Sequence, residues 1–292
     1  MRILVTGSVG FIGTNLMQYL RAKGIDAYGI DLLENGVKKV DIRDYSALSN
    51  TFKTERPDCV VHLAAMAYPQ KCETDCDYCF STNVTGTYNV ARLAKEYNAR
   101  MIFASTAAVY GKAKVWPTPV GSETVPTNLY GETKLIDESI IKYYLPSNHI
   151  IFRIFNVYGE HCDRSYVIPD AIRKLMLKDR PVPMMGTGDE ERDFIYIMDV
   201  LDAFHRGITQ STISGTFNLG TGSSISMKGL TKMIAELLNG EDAEFSFPGK
   251  PRIGDINKLM ADISGDNALL GWRPTTNLRD GILKTIKYFT KS

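Results

Sequence analysis

Met1-Arg-Ile-Leu-Val-Thr6 runs without interruption into Gly7-Ser-Val-Gly10-Phe-Ile-Gly13. The first six residues form a short apolar, β-rich run of the kind that a parallel sheet buries on both faces. Residues 14–23 then read as an amphipathic helix. Strand, glycine turn and helix, in that order, are the context that turns three glycines into a dinucleotide-binding signal. Gly7 permits a tight turn, Gly10 lets the backbone approach a pyrophosphate, and Gly13 lets helix and strand pack closely. Phe11 and Ile12 lie between the glycines at the helix N-terminus, whose N–H groups and positive dipole end suit phosphate oxygens. The spacing is Gly-x-x-Gly-x-x-Gly, and its place at the first strand-to-helix turn gives it weight. Residues 25–30 read as a second strand that ends at Asp31, about 20 residues past the glycines. A carboxylate there accepts hydrogen bonds from adenosine ribose hydroxyls and repels a 2′-phosphate. Leu32, Leu33 and Glu34 follow with no arginine, so the expected cofactor is NAD rather than NADP.

Tyr130 and Lys134 sit in Tyr-Gly-Glu-Thr-Lys, four residues apart and so on one helix face. A phenol titrates near pH ~10, and a lysine ammonium nearby is expected to favour the phenolate. Taken alone the pair fits a solvated helix face as well as a site; next to a dinucleotide fold it becomes a candidate for proton transfer. Strand signals at 58–63, 100–104 and 149–155 alternate with a long helical region reaching about residue 98 and a helix at 128–145. Such repeated β–α units imply an α/β fold, a doubly wound parallel Rossmann sheet, with ligands at the carboxyl ends of the strands. Thr106 lies at such an end and is the candidate third group, holding the substrate oxygen that Tyr130 deprotonates. Past Asn156 the rhythm changes to short strands and isolated helices, which predicts a smaller mixed α/β substrate-binding lobe. The expected boundaries are 1–155 for the NAD-binding domain and 156–292 for the second lobe, with some elements of about 190–220 returning to the first sheet.

The chain has 292 residues, 44% of them hydrophobic and 23% charged, with a net charge of +1. It is long enough to bury a large core as one elaborate domain or two joined ones. Near-neutrality gives no reason to expect a nucleic acid or an anionic membrane as partner. No apolar run approaches membrane-spanning length and the N-terminus is a strand, so the expected location is the cytoplasm. Cys72, Cys76 and Cys79 have a spacing that iron–sulfur ligation uses, but on a helix they would share one stripe, and packing is the expected role; no metal is expected. With Cys59 and Cys162 the cysteine count is odd, which argues against a disulfide framework.

Taken together these segments resemble the extended short-chain dehydrogenase/reductase family, in particular its nucleotide-sugar epimerase/dehydratase branch, over nearly the whole chain. Residues 6–13 resemble the family's cofactor turn, Asp41 and Ile42 its adenine-side motif, and Leu63, Ala64 and Ala65 its cofactor-lining strand end. Asn83 matches the asparagine of its long helix, and Tyr130 with Lys134 its catalytic pair, in which the lysine also bonds the nicotinamide ribose. The resemblance further implies that Asn156, Arg192, Arg252 and Asp255 hold the nucleotide diphosphate and ribose of a nucleotide-diphosphate sugar. Arginine suits that task because its guanidinium pairs bidentately with phosphate oxygens. A homodimer through the helices near 72–98 and 128–145 is likewise implied.

Two departures narrow the chemistry. Ala107 and Ala108 stand where family dehydratases carry an acid and a base, which disfavours loss of water. Glu160-His-Cys162 and Ala67-Tyr-Pro69 replace the usual residues near the sugar, leaving its identity open. The expected reaction is an NAD-dependent nucleotide-sugar 4-epimerisation through a transient 4-keto sugar. The alternatives are reduction of a 4-keto-6-deoxysugar with NAD(P)H, decarboxylation of a sugar acid, and a non-catalytic NAD-binding regulator.

Overall fold

The computed structural model describes residues 1–33, 35–162, 165–177, 181–239, 245–249, 256–265 and 269–291. Its first half is built from β1 (Ile3–Thr6), α1 (Phe11–Ala22), β2 (Ala27–Asp31), β3 (Lys38–Lys39), α2 (Tyr45–Glu55) and β4 (Cys59–His62). Next come the short helices α3 (Pro69–Thr74) and α4 (Cys76–Phe80), a π-helical turn Ser81–Thr85, and α5 (Gly86–Glu96). β5 (Arg100–Thr106), α6 (Leu129–Tyr144) and β6 (His149–Ile154) complete the regular alternation. Beyond it come β7 (Asn156–Tyr158), α7 (Val167–Met176), β8 (Val182–Pro183), β9 (Glu191–Arg192), β10 (Phe194–Tyr196), α8 (Ile197–Thr209) and β11 (Gly215–Leu219). The remaining elements are β12 (Ile225–Ser226), α9 (Met227–Asn239), β13 (Phe245–Ser246), β14 (Lys258–Leu259) and α10 (Leu278–Lys291).

Seven strands form one parallel sheet in the order β11-β6-β5-β4-β1-β2-β3. Side-chain alternation along the central strands splits the core in two. Ile3, Val5, Val61, Ile102, Ile150 and Phe152 join one apolar cluster; Leu4, Val60, Met101, Phe103 and Ile151, the residues between them, join the other. Helices α1 and α8 pack together on the first face. Leu48 and Phe52 of α2, Val90 and Leu93 of α5, and Ile141 of α6 cover the second. A strand buried on both sides needs apolar residues at every position, which is why these strands read as continuous runs rather than alternating ones.

The strand order reverses between β1 and β4, whose carboxyl ends diverge at Thr6 and His62. A doubly wound sheet opens its ligand crevice at that switch point. β11, from the second half of the chain, closes the sheet beside β6, while β9, β12 and β14 form a separate three-stranded sheet.

The long helical region before residue 98 is not one helix. Asp75 leaves helical geometry (φ −136°, ψ 73°) and its carboxylate accepts the Tyr78 N–H at 3.1 Å, which ends α3 and starts α4. That break dissolves the expected thiol stripe. Cys72 and Cys79 pair as a disulfide, contrary to the expectation from the odd count, whereas Cys76 is exposed. Among the described residues no group of three His, Cys, Asp or Glu side chains is placed to hold a metal ion. No helix among them is long and apolar enough to cross a membrane.

Candidate active site

The glycine turn links β1 to α1 as its composition requires. Gly7 has φ +69°, and a Cβ on it would stand 2.6 Å from the Ala64 nitrogen; only glycine fits a left-handed position against that neighbouring loop. Gly13 meets the turn so closely that a Cβ would come within 2.1 Å of the Gly7 carbonyl oxygen. α1 therefore begins at Phe11 and Ile12 with no side-chain cap and no acidic residue in its first turn. Uncapped N–H groups and a positive dipole end are left to face an anion.

Gly7, Gly10, Asp31, Asp41, Ile42, Leu63, Ala64 and Ala65 line one cleft of about 230 Å³, joined by Met66, Tyr78 and Thr82. Asp31 Oδ2 accepts the Val9 N–H at 2.9 Å and Oδ1 the Leu33 N–H at 3.2 Å, so its carboxylate is fixed at the edge of the glycine turn. Asp41 lines the same cleft, but its carboxylate is gripped bidentately by Arg43, at 2.6 Å from Nη2 and 3.0 Å from Nε. Those hydrogen bonds hold the Asp41 carboxyl below its usual value. Arg43 in turn lies over the Tyr78 ring at 4.7 Å. Asn83 sits in the π-helical turn, a feature frequent at functional sites. Its amide accepts from Met66 N at 2.8 Å and donates to Thr133 Oγ1 at 2.9 Å, fastening the cleft wall to α6.

α6 starts at an Asn128 cap, which accepts the Gly131 N–H at 2.8 Å. Gly131 lets this first turn lie against the loop after β5, since a Cβ there would be 3.0 Å from the Ala108 carbonyl oxygen. Tyr130 thereby comes near Thr106 at the end of β5, close enough for that hydroxyl to favour the phenolate. Thr106 Oγ1 accepts the Ala108 N–H at 3.1 Å, which leaves its own proton to point at the phenol. Part of Tyr130 remains accessible, yet the phenol is surrounded by protein, and this burial pushes it up to about 12 against the pull of Thr106.

Lys134 does not do what its spacing suggests. It is buried, donates from Nζ to the Ala104 carbonyl at 2.9 Å and lies over the Phe103 ring at 4.4 Å. Burial pulls its ammonium down to about 8, opposed by Asp137 and Glu138. Burial leads among the influences on Tyr130, ahead of Thr106 and Asp137, and the net result is a rise rather than the expected lowering. Lys134 points into the sheet, toward β5, rather than along the helix face.

Sequence reasoning also missed what lies beneath. Lys134, Asp137, Glu138 and Ile141, at helical spacing, form the buried stripe of α6. Glu138 takes Arg153 at 2.9 and 2.8 Å and Ser105 at 2.7 Å. Burial would raise Glu138, but Arg153 above all overcomes it and holds the carboxyl below its usual value. At the end of β4, His62 shares hydrogen bonds with Thr6 at 2.7 Å and Thr87 at 3.0 Å, and burial pulls its imidazole down to about 3.

The residues expected at the substrate are less gathered. Asn156 Nδ2 donates to the Asp193 carbonyl at 3.1 Å. Arg192 lines a different cavity, about 210 Å³, with Phe194, Thr221, Ser224 and Asn277 among its walls. Arg252 and Asp255 lie outside the described residues.

A sequence profile of the NAD dependent epimerase/dehydratase family matches residues 3–220. A UDP-glucose 4-epimerase of Mycolicibacterium smegmatis is 30% identical over 99% of this chain and 98% of its own. A UDP-glucuronic acid decarboxylase 1 of Xenopus tropicalis is 28% identical over 99% of this chain and 72% of its own. The crystal structure of a Thermus thermophilus UDP-glucose 4-epimerase in complex with NAD superposes with a TM-score of 0.90, at 27% identity and full coverage of both chains. The chain belongs to the NAD dependent epimerase/dehydratase family, and with it to the extended short-chain dehydrogenase/reductases; it is an enzyme of the nucleotide-sugar epimerase type whose cofactor is NAD.

Proposed function

We propose, from that membership, that this enzyme is a nucleotide-sugar 4-epimerase that works through a transient 4-keto sugar. The observation that carries the reading is the placing of Thr106, at the end of β5, close enough to act on the Tyr130 phenol, beside the glycine-lined cleft at the carboxyl ends of the strands. The uncapped start of α1 suits the pyrophosphate of NAD, and Asp31 the adenosine ribose. When bound, NAD supplies a hydride acceptor and the positive charge of its nicotinamide ring. Tyr130 takes the 4-hydroxyl proton and later returns it, Thr106 holds that oxygen, and Lys134 keeps an ammonium within the site. Ala107 and Ala108 provide neither an acid nor a base for loss of water, which favours epimerisation over dehydration of the keto sugar. Asn156, Arg192, Arg252 and Asp255 are the residues proposed to hold the nucleotide diphosphate, within a substrate lobe formed mainly by residues 156–292. Tyr88 and Tyr143, 39% and 77% exposed on α5 and α6, favour a homodimer through those helices.

The test is a donor panel of UDP-glucose, UDP-N-acetylglucosamine and their GDP and dTDP counterparts, with products read by NMR and no reductant added. Appearance of C4 epimers is the expected result, and a Tyr130→Phe variant should be slower by about 10²–10⁴-fold. If every donor stays unchanged, the reading falls. Similarity to the Xenopus decarboxylase favours one second reading, so UDP-glucuronic acid belongs in the same panel, with carbon dioxide release as the readout.

A further inference from the structure

Asp137 is fully buried, and neither of its carboxyl oxygens has a hydrogen-bond partner. Buried polar atoms are nearly always paired, because an unpaired one keeps its whole desolvation cost. The Thr87 hydroxyl lies near enough to favour the carboxylate but not in hydrogen-bonding geometry. Asp137 stands one turn beyond Lys134 on the inward stripe of α6, and the two act on each other through space without touching, since no salt bridge joins them. Glu138, its neighbour, is already committed to Arg153, Ser105 and Lys142.

We propose that Asp137 is a positioning residue for the active site, the buried counter-charge to Lys134 one turn away on the inward stripe of α6. The charged and titratable groups around it are few. From α6 they are Lys134, Glu138 and Tyr130; from β4, His62 stands behind Thr87 of α5; from β6, Arg153 is occupied by Glu138. From β5, Ser105 bonds Glu138 and Thr106 lies near Tyr130, and neither bears a charge. A buried lysine loses its proton more readily when no negative group faces it. Ionised Asp137 holds the proton on Lys134, and burial, which raises Asp137, ties the two titrations together. The same carboxylate raises Tyr130. Removing its charge therefore moves both titrations in one direction, toward lower pH. A side chain that merely fills the core would change amplitude and stability and leave those pH values in place.

The proposal rests on the assignment of Lys134 to the NAD site, and its first readout does not need turnover. NAD affinity of the native enzyme is measured across pH 6–10 by calorimetry and compared with Asp137→Asn, which keeps shape and removes charge. The native affinity should fall as pH rises past about 8, where Lys134 loses its proton. In the variant the same fall should come about one pH unit lower. With whichever donor the panel identifies, both limbs of the rate profile should shift the same way. Should no donor react, the 4-epimerase reading fails while the NAD profiles still decide this one. Superimposable NAD profiles, or a native affinity indifferent to pH, overturn the proposal. If Asp137→Asn does not fold by circular dichroism, Asp137→Ser is titrated instead; failure of both to fold assigns Asp137 to the core and also overturns it.

Discussion

Gly10 and Gly13 are three residues apart, yet a methyl group added to each meets a different fate. On Gly13 it would stand 2.1 Å from the Gly7 oxygen and 2.8 Å from the Ser8 Cα, so the turn itself must move. On Gly10 it would meet only the Gly7 oxygen, at 3.3 Å, and would otherwise occupy space in the cleft. Gly13→Ala should therefore lower the melting temperature and abolish NAD binding together. Gly10→Ala should melt close to the native protein and bind NAD about tenfold or more weakly, a loss of roughly 1.4 kcal/mol. Native NAD affinity in Gly10→Ala would sink the cradle assignment. These glycines and Asp31 are legible in the sequence because their work is local: a backbone conformation, a close approach, a carboxylate at a strand end. Asp137 is not, because an acidic residue near a helix lysine reads as solvent-facing until the rotation of α6 is known. The true partner of Lys134, the Ala104 carbonyl, lies 30 residues away, and no spacing rule connects them.

At the level of elements, α6 is held to the sheet by a buried ion pair rather than by apolar contacts alone. Glu138 has no exposed surface, and Arg153 approaches it with two nitrogens from β6. Removing one member of such a pair leaves the other charge buried without compensation, which costs about 3–5 kcal/mol. Glu138→Gln should show a loss of that order in urea denaturation at pH 7. Because the Glu138 carboxyl sits below its usual value, its contribution is fully present above the unfolded value, about 4.3, and is lost as pH falls through the folded one. Native and variant stabilities should thus converge on acidification below about pH 4; a constant gap between the two curves would show that the pair is not its source. The central strands were readable as short continuous apolar runs, since a sheet covered on both faces buries every position. The region before residue 98 was not, because a single Asp75 cap divides it and a π-helical turn then shifts the phase of α5.

On the scale of the whole molecule, one of the contacts between the two halves is that of Tyr68 and Tyr166, whose ring centroids are 5.5 Å apart. Tyr68 belongs to the segment that leaves the cofactor cleft: Met66 lines that cleft, and Glu73 accepts the N–H of Leu129, the neighbour of Tyr130, at 2.8 Å. Tyr166 caps α7 in the second half. Neither this meeting point nor the register of β11 on the first sheet is legible from the sequence, since both pair segments separated by sixty or more residues through tertiary packing. A ring pair of this kind is worth about 0.5–1.5 kcal/mol beyond the area it buries. If it holds the halves together around the sugar, Tyr166→Ala should raise KM for the nucleotide sugar by roughly 2- to 10-fold, the same energy read as a ratio. The glycine cleft makes no use of Tyr166, so NAD affinity should stay at the native value. Steady-state kinetics on the reactive donor, paired with an NAD titration, separate the two effects. An unchanged KM would mean that the ring contact joins the halves without bearing on the sugar, and a parallel loss of NAD affinity would mean that the first half depends on the second for its shape.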